Sequence, residues 1–90
     1  MTLNDVMFIE SYPKIDLHGF DRDSARVAIQ DFIRDEIKLK QPIIVIVHGC
    51  GSGILRKTCH EILRKNKKVL DFKTFYYNPG CTIVLLSIDE

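Results

Sequence analysis

Ile43-Ile44-Val45-Ile46-Val47-His48-Gly49-Cys50-Gly51-Ser52-Gly53 is the stretch from which the fold of this chain can be read. After Pro42 the run is β-branched with no polar alternation, the pattern of a strand covered on both faces by helices. It therefore predicts a buried parallel strand over 41–47, followed by a glycine-rich turn that opens a helix. An earlier apolar run, Lys14-Ile15-Asp16-Leu17-His18-Gly19, ends in the same His-Gly pair. If the two strands are parallel neighbours, both histidines emerge at the carboxyl edge of one sheet, where open α/β folds place their ligands.

Working outward, alternation along Lys14 to His18 puts Ile15 and Leu17 on one face and Asp16 with His18 on the other. Pro13 suits the start of that strand. Asp21 caps a helix whose Ala25, Ala28, Ile29, Phe32 and Ile33 recur at helical spacing, ending near Leu39. Beyond the glycine turn, Leu55, Cys59, Ile62 and Leu63 form the buried stripe of a second helix that ends near Asn66. Val69 to Tyr77 reads as a third strand, Asn78-Pro79-Gly80 as a turn, and Thr82 to Ile88 as a fourth strand.

The order β-α-β-α-β-β makes the first strands parallel, because each crossover carries a helix, and the short last connection makes the closing hairpin antiparallel. The fold class expected is an α/β (α+β) sandwich with a four-stranded mixed sheet and two helices. Residues 1–12 show no strong period and are expected as an N-terminal arm or an added edge strand, with the domain proper over 13–90.

Ninety residues with 46% hydrophobic content suffice for one globular domain. The net charge of +1 hides an asymmetry: Arg56, Lys57, Arg64, Lys65, Lys67, Lys68 and Lys73 share an eighteen-residue stretch with only two acids, Glu61 and Asp71. That local excess points to a polyanionic partner, or else to a solvated helix face. The three cysteines, Cys50, Cys59 and Cys81, show no zinc spacing and cannot all pair within one chain. A reducing cytoplasm is expected. The N-terminal apolar patch Val6-Met7-Phe8-Ile9 is too short for a signal peptide or a membrane span, so no membrane partner is expected.

Two constellations can carry chemistry. A Gly-rich turn opening a helix presents backbone amides at the positive end of the helix dipole, so Gly49, Gly51, Ser52 and Gly53, with Arg56, Lys57 and Arg64 on the helix beyond, are candidates for holding phosphate. The alternative is a tight packed turn. Asp16 and His18, two apart on a strand, suit general acid–base work or metal ligation, with His48 expected beside them as a third catalytic group. The alternative is that Asp16 accepts backbone amides. His60 is read as a surface residue, Cys59 as core, and Cys81 as a small residue on the final hairpin. Tyr76 and Tyr77 could stack on an unpaired base or simply pack.

Ile15-Asp16-Leu17-His18-Gly19 resembles the Leu-Asp-Leu-His-Gly signature of the Smr (small MutS-related) domain family, and His48 to Arg56 resembles its His-Gly-x-Gly segment leading into a basic helix. The resemblance runs from about Lys14 to Leu86. It implies a fold similar to the C-terminal domain of translation initiation factor three. It also implies binding or cleavage of nucleic acid, including DNA nicking, endoribonuclease action and cleavage of messenger RNA at stalled ribosomes. Asp16 and His18 correspond to the family's cleavage residues, and His48, Gly49, Gly51 and Gly53 to its second motif. Cys50 stands where the family often has a basic residue, and Asn78-Pro79-Gly80-Cys81 is less glycine-rich than is common.

The function expected from residues and resemblance together is a cytoplasmic, monomeric endonuclease that cleaves RNA in preference, or else nicks DNA. Its cofactor is left open between none and a divalent metal ion anchored by Asp16. The alternative is a non-catalytic nucleic-acid or ribosome-binding module.

Overall fold

The structure is a computed structural model that describes residues 2–88. It contains β1 (Lys14–Asp16), α1 (Arg22–Lys38), β2 (Ile43–Val47), α2 (Ile54–Lys65), β3 (Val69–Thr74) and β4 (Cys81–Leu86), preceded by a single 3₁₀ turn at Leu3–Asp5. The sheet order is β1-β2-β4-β3. β1 and β2 are parallel, whereas β4 runs antiparallel to both β2 and β3. The closing hairpin thus inserts β4 into the centre of the sheet. Its residues Cys81 to Leu86 carry no charge, which suits a strand paired on both edges.

The helices start and stop for local reasons. Asp21 Oδ1 accepts from the Ser24 amide at 2.7 Å, an N-cap that lowers the Asp21 carboxyl pKa through that bond. α1 then buries Ala25, Ile29, Ile33 and Glu36 on one stripe. It ends where Lys40 takes a left-handed φ of 62°. The Gln41 amide reaches back to the Glu36 carbonyl and the Lys40 amide to that of Ile37, a Schellman closure with lysine in the place usually given to glycine. α2 enters from Gly53, also left-handed, and buries Thr58, Cys59, Ile62 and Leu63. Burial pushes the Cys59 thiol up to about 12, so this cysteine is a packing residue.

Both helices lie against one face of the sheet. Ala25, Ile29 and Ile33 of α1 and Cys59, Ile62 and Leu63 of α2 share a core with Leu17, Ile44, Ile46, Val84 and Leu86. This corrects the expectation that helices cover β2 on both sides. On the opposite face Ile43, Val45, Ile83 and Cys81 are covered by Leu3 and Val6 of the N-terminal segment, together with Phe75. The segment forms the 3₁₀ turn and contributes no strand among the described residues; it is a lid on the second core. β2 is buried on both faces because one side is closed by irregular chain that shows no periodic pattern.

The strands are shorter than their apolar runs. β1 stops at Asp16 because the Asp16 side chain takes the His18 amide. β3 stops at Thr74 because Phe75, after donating to the Cys81 carbonyl, begins a turn closed by Asn78.

Candidate functional site

Parallel pairing brings the carboxyl ends of β1 and β2 side by side. Asp16 is in register with Val47, and the Leu17 amide donates to the Val47 carbonyl at 2.9 Å. The chain leaving β1 makes a tight turn: His18 N–H donates to Asp16 Oδ1 at 2.9 Å, and Phe20 N–H donates to the Leu17 carbonyl at 3.0 Å. Leu17 is fully buried and anchors this turn, while Asp16 and His18 are exposed. The carboxylate therefore shapes the backbone that presents the imidazole.

The chain leaving β2 is tied down from the other side. The amides of His48 and Gly49 both donate to the Gly80 carbonyl at 2.9 Å, and Asn78 Oδ1 accepts from the Gly80 amide at 3.0 Å. A Cβ on Gly80 would stand 3.2 Å from Cys50 Sγ and 3.3 Å from Gly49 Cα, so a side chain there would crowd the close approach of the two loops. Sequence reading treated Gly80 only as a turn residue. Beyond it, Gly49, Cys50, Gly51, Ser52 and Gly53 line a cleft of about 290 Å³ with Arg56 and Pro79.

The cleft floor is the start of α2, whose first turn carries no acid. Helix geometry leaves the amides of Ile54, Leu55 and Arg56 without intrahelical carbonyl partners. Ser52 Oγ accepts the first of them, at 3.4 Å. Free amides, dipole and guanidinium thus give the cleft a positive character. Lys57 is exposed beside it but not in its lining. Arg64 lies two turns beyond Arg56 along α2, roughly 12 Å away along the helix axis. Asp16 and His18 are likewise outside the lining, next to the cleft across the β1–β2 edge.

His48 is placed differently from His18. Only 7% exposed, it turns under α2 with its Nδ1 3.0 Å from the Gly49 carbonyl and its Nε2 2.7 Å from Thr82 Oγ1. Thr82 Oγ1 is also 2.9 Å from His60 Nε2. A carbonyl can only accept, so His48 Nδ1 carries a proton, and in the neutral ring Nε2 then accepts from the Thr82 hydroxyl. Thr82 in turn accepts from His60 Nε2–H. Every donor in this buried chain has an acceptor.

Burial lowers the pKa of both imidazoles. For His48 the proximity of Arg56 adds to this against the opposing Gly49 bond, and for His60 the neighbouring His48, Arg64 and Arg56 add to it. The lowered pKa values favour the neutral rings that this bonding pattern uses.

His60 was expected at the surface. The structure instead places its ring 5.0 Å from Phe72 and 6.0 Å from His48, because the stripe of α2 facing the sheet is wide enough to include it. Thr82, fully buried, was not singled out at all. Its signal lies in β4, where it is the one polar residue of Cys81 to Leu86 and shares the alternation of Val84 and Leu86.

Cys50 is exposed in the loop, but His48 has no ring nitrogen free to serve it as a base. Cys81, in register with Val47, has its thiol pushed up by burial first and by Cys50 and Asp16 next, against a smaller lowering from Lys14. Among the described residues no group of three or more His, Cys, Asp or Glu side chains gathers as metal ligands.

These features define a class: a small two-layer domain with two helices on one face of a mixed sheet and a glycine loop at the carboxyl edge of its parallel strand pair. The chain belongs to the Smr domain family, whose sequence profile matches residues 15–87 and so spans both His-Gly motifs. It is 32% identical over 76 residues to the Endonuclease MutS2 of Clostridium perfringens, covering 84% of this chain and 10% of that protein. It is 34% identical over 73 residues to that of a Geobacillus species, covering 81% and 9%. The chain thus spans about a tenth of these relatives.

Among solved structures, the Smr domain of Thermus thermophilus MutS2 superposes with a TM-score of 0.80 at 27% identity, covering 82% of this chain and 96% of that one. YdaL, a stand-alone small MutS-related protein from Escherichia coli, shares the fold with a TM-score of 0.80 at 20% identity, over 86% of this chain and 68% of its own. No helix among the described residues is long and apolar enough to cross a membrane.

Proposed function

We propose that this domain binds nucleic acid and cleaves its phosphodiester backbone, with RNA as the preferred substrate. The observation that carries the proposal is the juxtaposition across paired strand ends of an exposed Asp16–His18 turn and a positive, glycine-lined cleft. The relatives named as endonucleases make phosphodiester cleavage the activity to test first.

A phosphate seated at Gly49 to Gly53 is held by helix amides and Arg56, with Lys57 beside it and Arg64 further along the backbone path. Those amides also stabilise charge developing on the phosphoryl oxygens. His18, the exposed imidazole, takes the proton from a ribose 2′-hydroxyl as that oxygen attacks phosphorus. The 5′-oxygen leaves, receiving a proton from His18 or from water, and a cyclic phosphate end remains. Asp16 holds the His18 backbone in place. His48, with both ring nitrogens engaged, holds the loop and does not carry the proton.

The test incubates purified protein with single-stranded RNA, structured RNA and supercoiled DNA, with and without chelator, beside His18→Ala and Asp16→Asn. Cleavage of RNA to cyclic phosphate ends, insensitive to chelator and lost in His18→Ala, is expected. Cleavage unchanged in both variants removes the site. Cutting of DNA as readily as RNA removes the 2′-hydroxyl route, and salt-sensitive binding with no strand breaks leaves a binding module.

A further inference from the structure

The turn that joins β3 to β4 presents more than a link to the glycine loop. Tyr76 and Tyr77 are 83% and 64% exposed, large aromatic surfaces next to the cleft-lining Pro79. The Tyr77 ring stands edge-on to Phe75 at 5.6 Å, and the Tyr76 ring edge-on to Tyr77 at 5.0 Å and 89°. Phe75 is itself buried in the second core, so the aromatic series is rooted in the fold. The backbone between is closed by the Asn78 amide on the Phe75 carbonyl at 3.2 Å and the Cys81 amide on the Asn78 carbonyl at 3.0 Å.

Beside these rings lies a groove of about 240 Å³, lined by Met7, Lys73, Phe75, Tyr76 and Tyr77 among others. Its lining, taken over the described residues, holds one cation, Lys73, and no acid. Lys73 is anchored by a 2.9 Å bond to Asn4 Oδ1 of the N-terminal segment. Aromatic faces beside a fixed cation match a nucleobase and its phosphate, because every base has a face to stack while the backbone is anionic. Gly80, two residues beyond Asn78, is bonded to His48 and Gly49, so the platform and the cleft flank a single loop.

We infer that Tyr76 and Tyr77 form a stacking subsite for an unpaired base on the strand whose phosphate occupies the Gly49–Gly53 cleft, making the domain selective for single-stranded over duplex nucleic acid. The inference rests on the phosphate-holding reading above. A duplex keeps its base faces stacked on one another and has none to offer; a single strand, or a loop in a structured RNA, does.

The test measures binding of the full chain to a single-stranded oligonucleotide and to the same sequence in duplex form, by anisotropy. A second single strand carries 2-aminopurine, whose fluorescence is quenched on stacking. Tyr76→Ala and Tyr77→Ala should each weaken single-strand binding roughly ten-fold and relieve the quench, leaving duplex binding unchanged. Tyr76→Phe should retain both signals, and Arg56→Ala should weaken both substrates alike. Equal affinity of the wild-type chain for single strand and duplex overturns the inference. So does a single-strand affinity untouched in both alanine variants while Arg56→Ala lowers it, an outcome that leaves the phosphate reading standing. Failure of the wild-type chain to bind either substrate removes the phosphate reading, and the subsite with it.

Discussion

The two His-Gly turns look alike in sequence and are built in opposite ways. At the end of β1, Asp16 and His18 stand in solvent on an edge strand, joined by one side-chain-to-amide bond. At the end of β2, His48 is buried between the two central strands and α2, with both nitrogens bonded and its backbone clamped to Gly80. The first turn leaves an imidazole exposed, and the second commits one to holding a loop. A shared dipeptide therefore reports a shared position at the sheet edge rather than a shared role.

Substitution should separate the two histidines. His18→Ala should lower the RNA cleavage rate by roughly 10²- to 10⁴-fold, the usual range for a general acid–base group. Its stability should stay within about 0.5 kcal/mol of wild type in urea melts, as for an exposed residue. Thr82→Val should do the reverse. It leaves His48 Nε2 and His60 Nε2 unpaired in a buried setting, at a cost of about 1–3 kcal/mol per group, read from the same melts.

The pH dependence of stability sharpens the contrast. The buried His48 and the half-buried His60 both have pKa values lowered from 6.5, so the unfolded chain binds more protons than the native one as pH falls below that value. The stability they contribute is present above 6.5 and lost as pH drops toward their lowered folded values. Melting temperature should therefore fall on acidification from neutrality, and His60→Gln should flatten that slope. The smallest effect belongs to Asp16→Asn. Its amide oxygen can still accept from His18 N–H, so unfolding free energy should move by less than about 0.5 kcal/mol, and RNA cleavage should fall less than in His18→Ala.

Much of this molecule was legible from local pattern. The cap at Asp21, the helical spacing of Ala25, Ile29 and Ile33, and the β-branched run of β2 each act over a few residues, and each appears in the structure within a residue or two of its expected place. The N-terminal segment was less legible. Leu3 and Val6 have no periodic partners in sequence, yet they close the second core by meeting Phe75 and Ile83. His60 was misplaced for a similar reason. A residue at the margin of a helix stripe is buried or exposed according to what stands opposite it, here Phe72 and Thr82.

Local sequence pattern dictates the helices and the four strands, their order, the parallel pairing implied by the first crossover and the two turns that face one edge. Those follow from backbone periodicity, capping and chain direction, which are local properties. Tertiary structure alone decided that β4 lies between β2 and β3, and that Thr82 links two histidines 34 and 22 residues away. It also decided which of the two motif histidines is exposed and which is buried. Such contacts depend on which surfaces meet when the sheet closes, and hydrogen bonds between residues so far apart leave no spacing in the chain from which to read them.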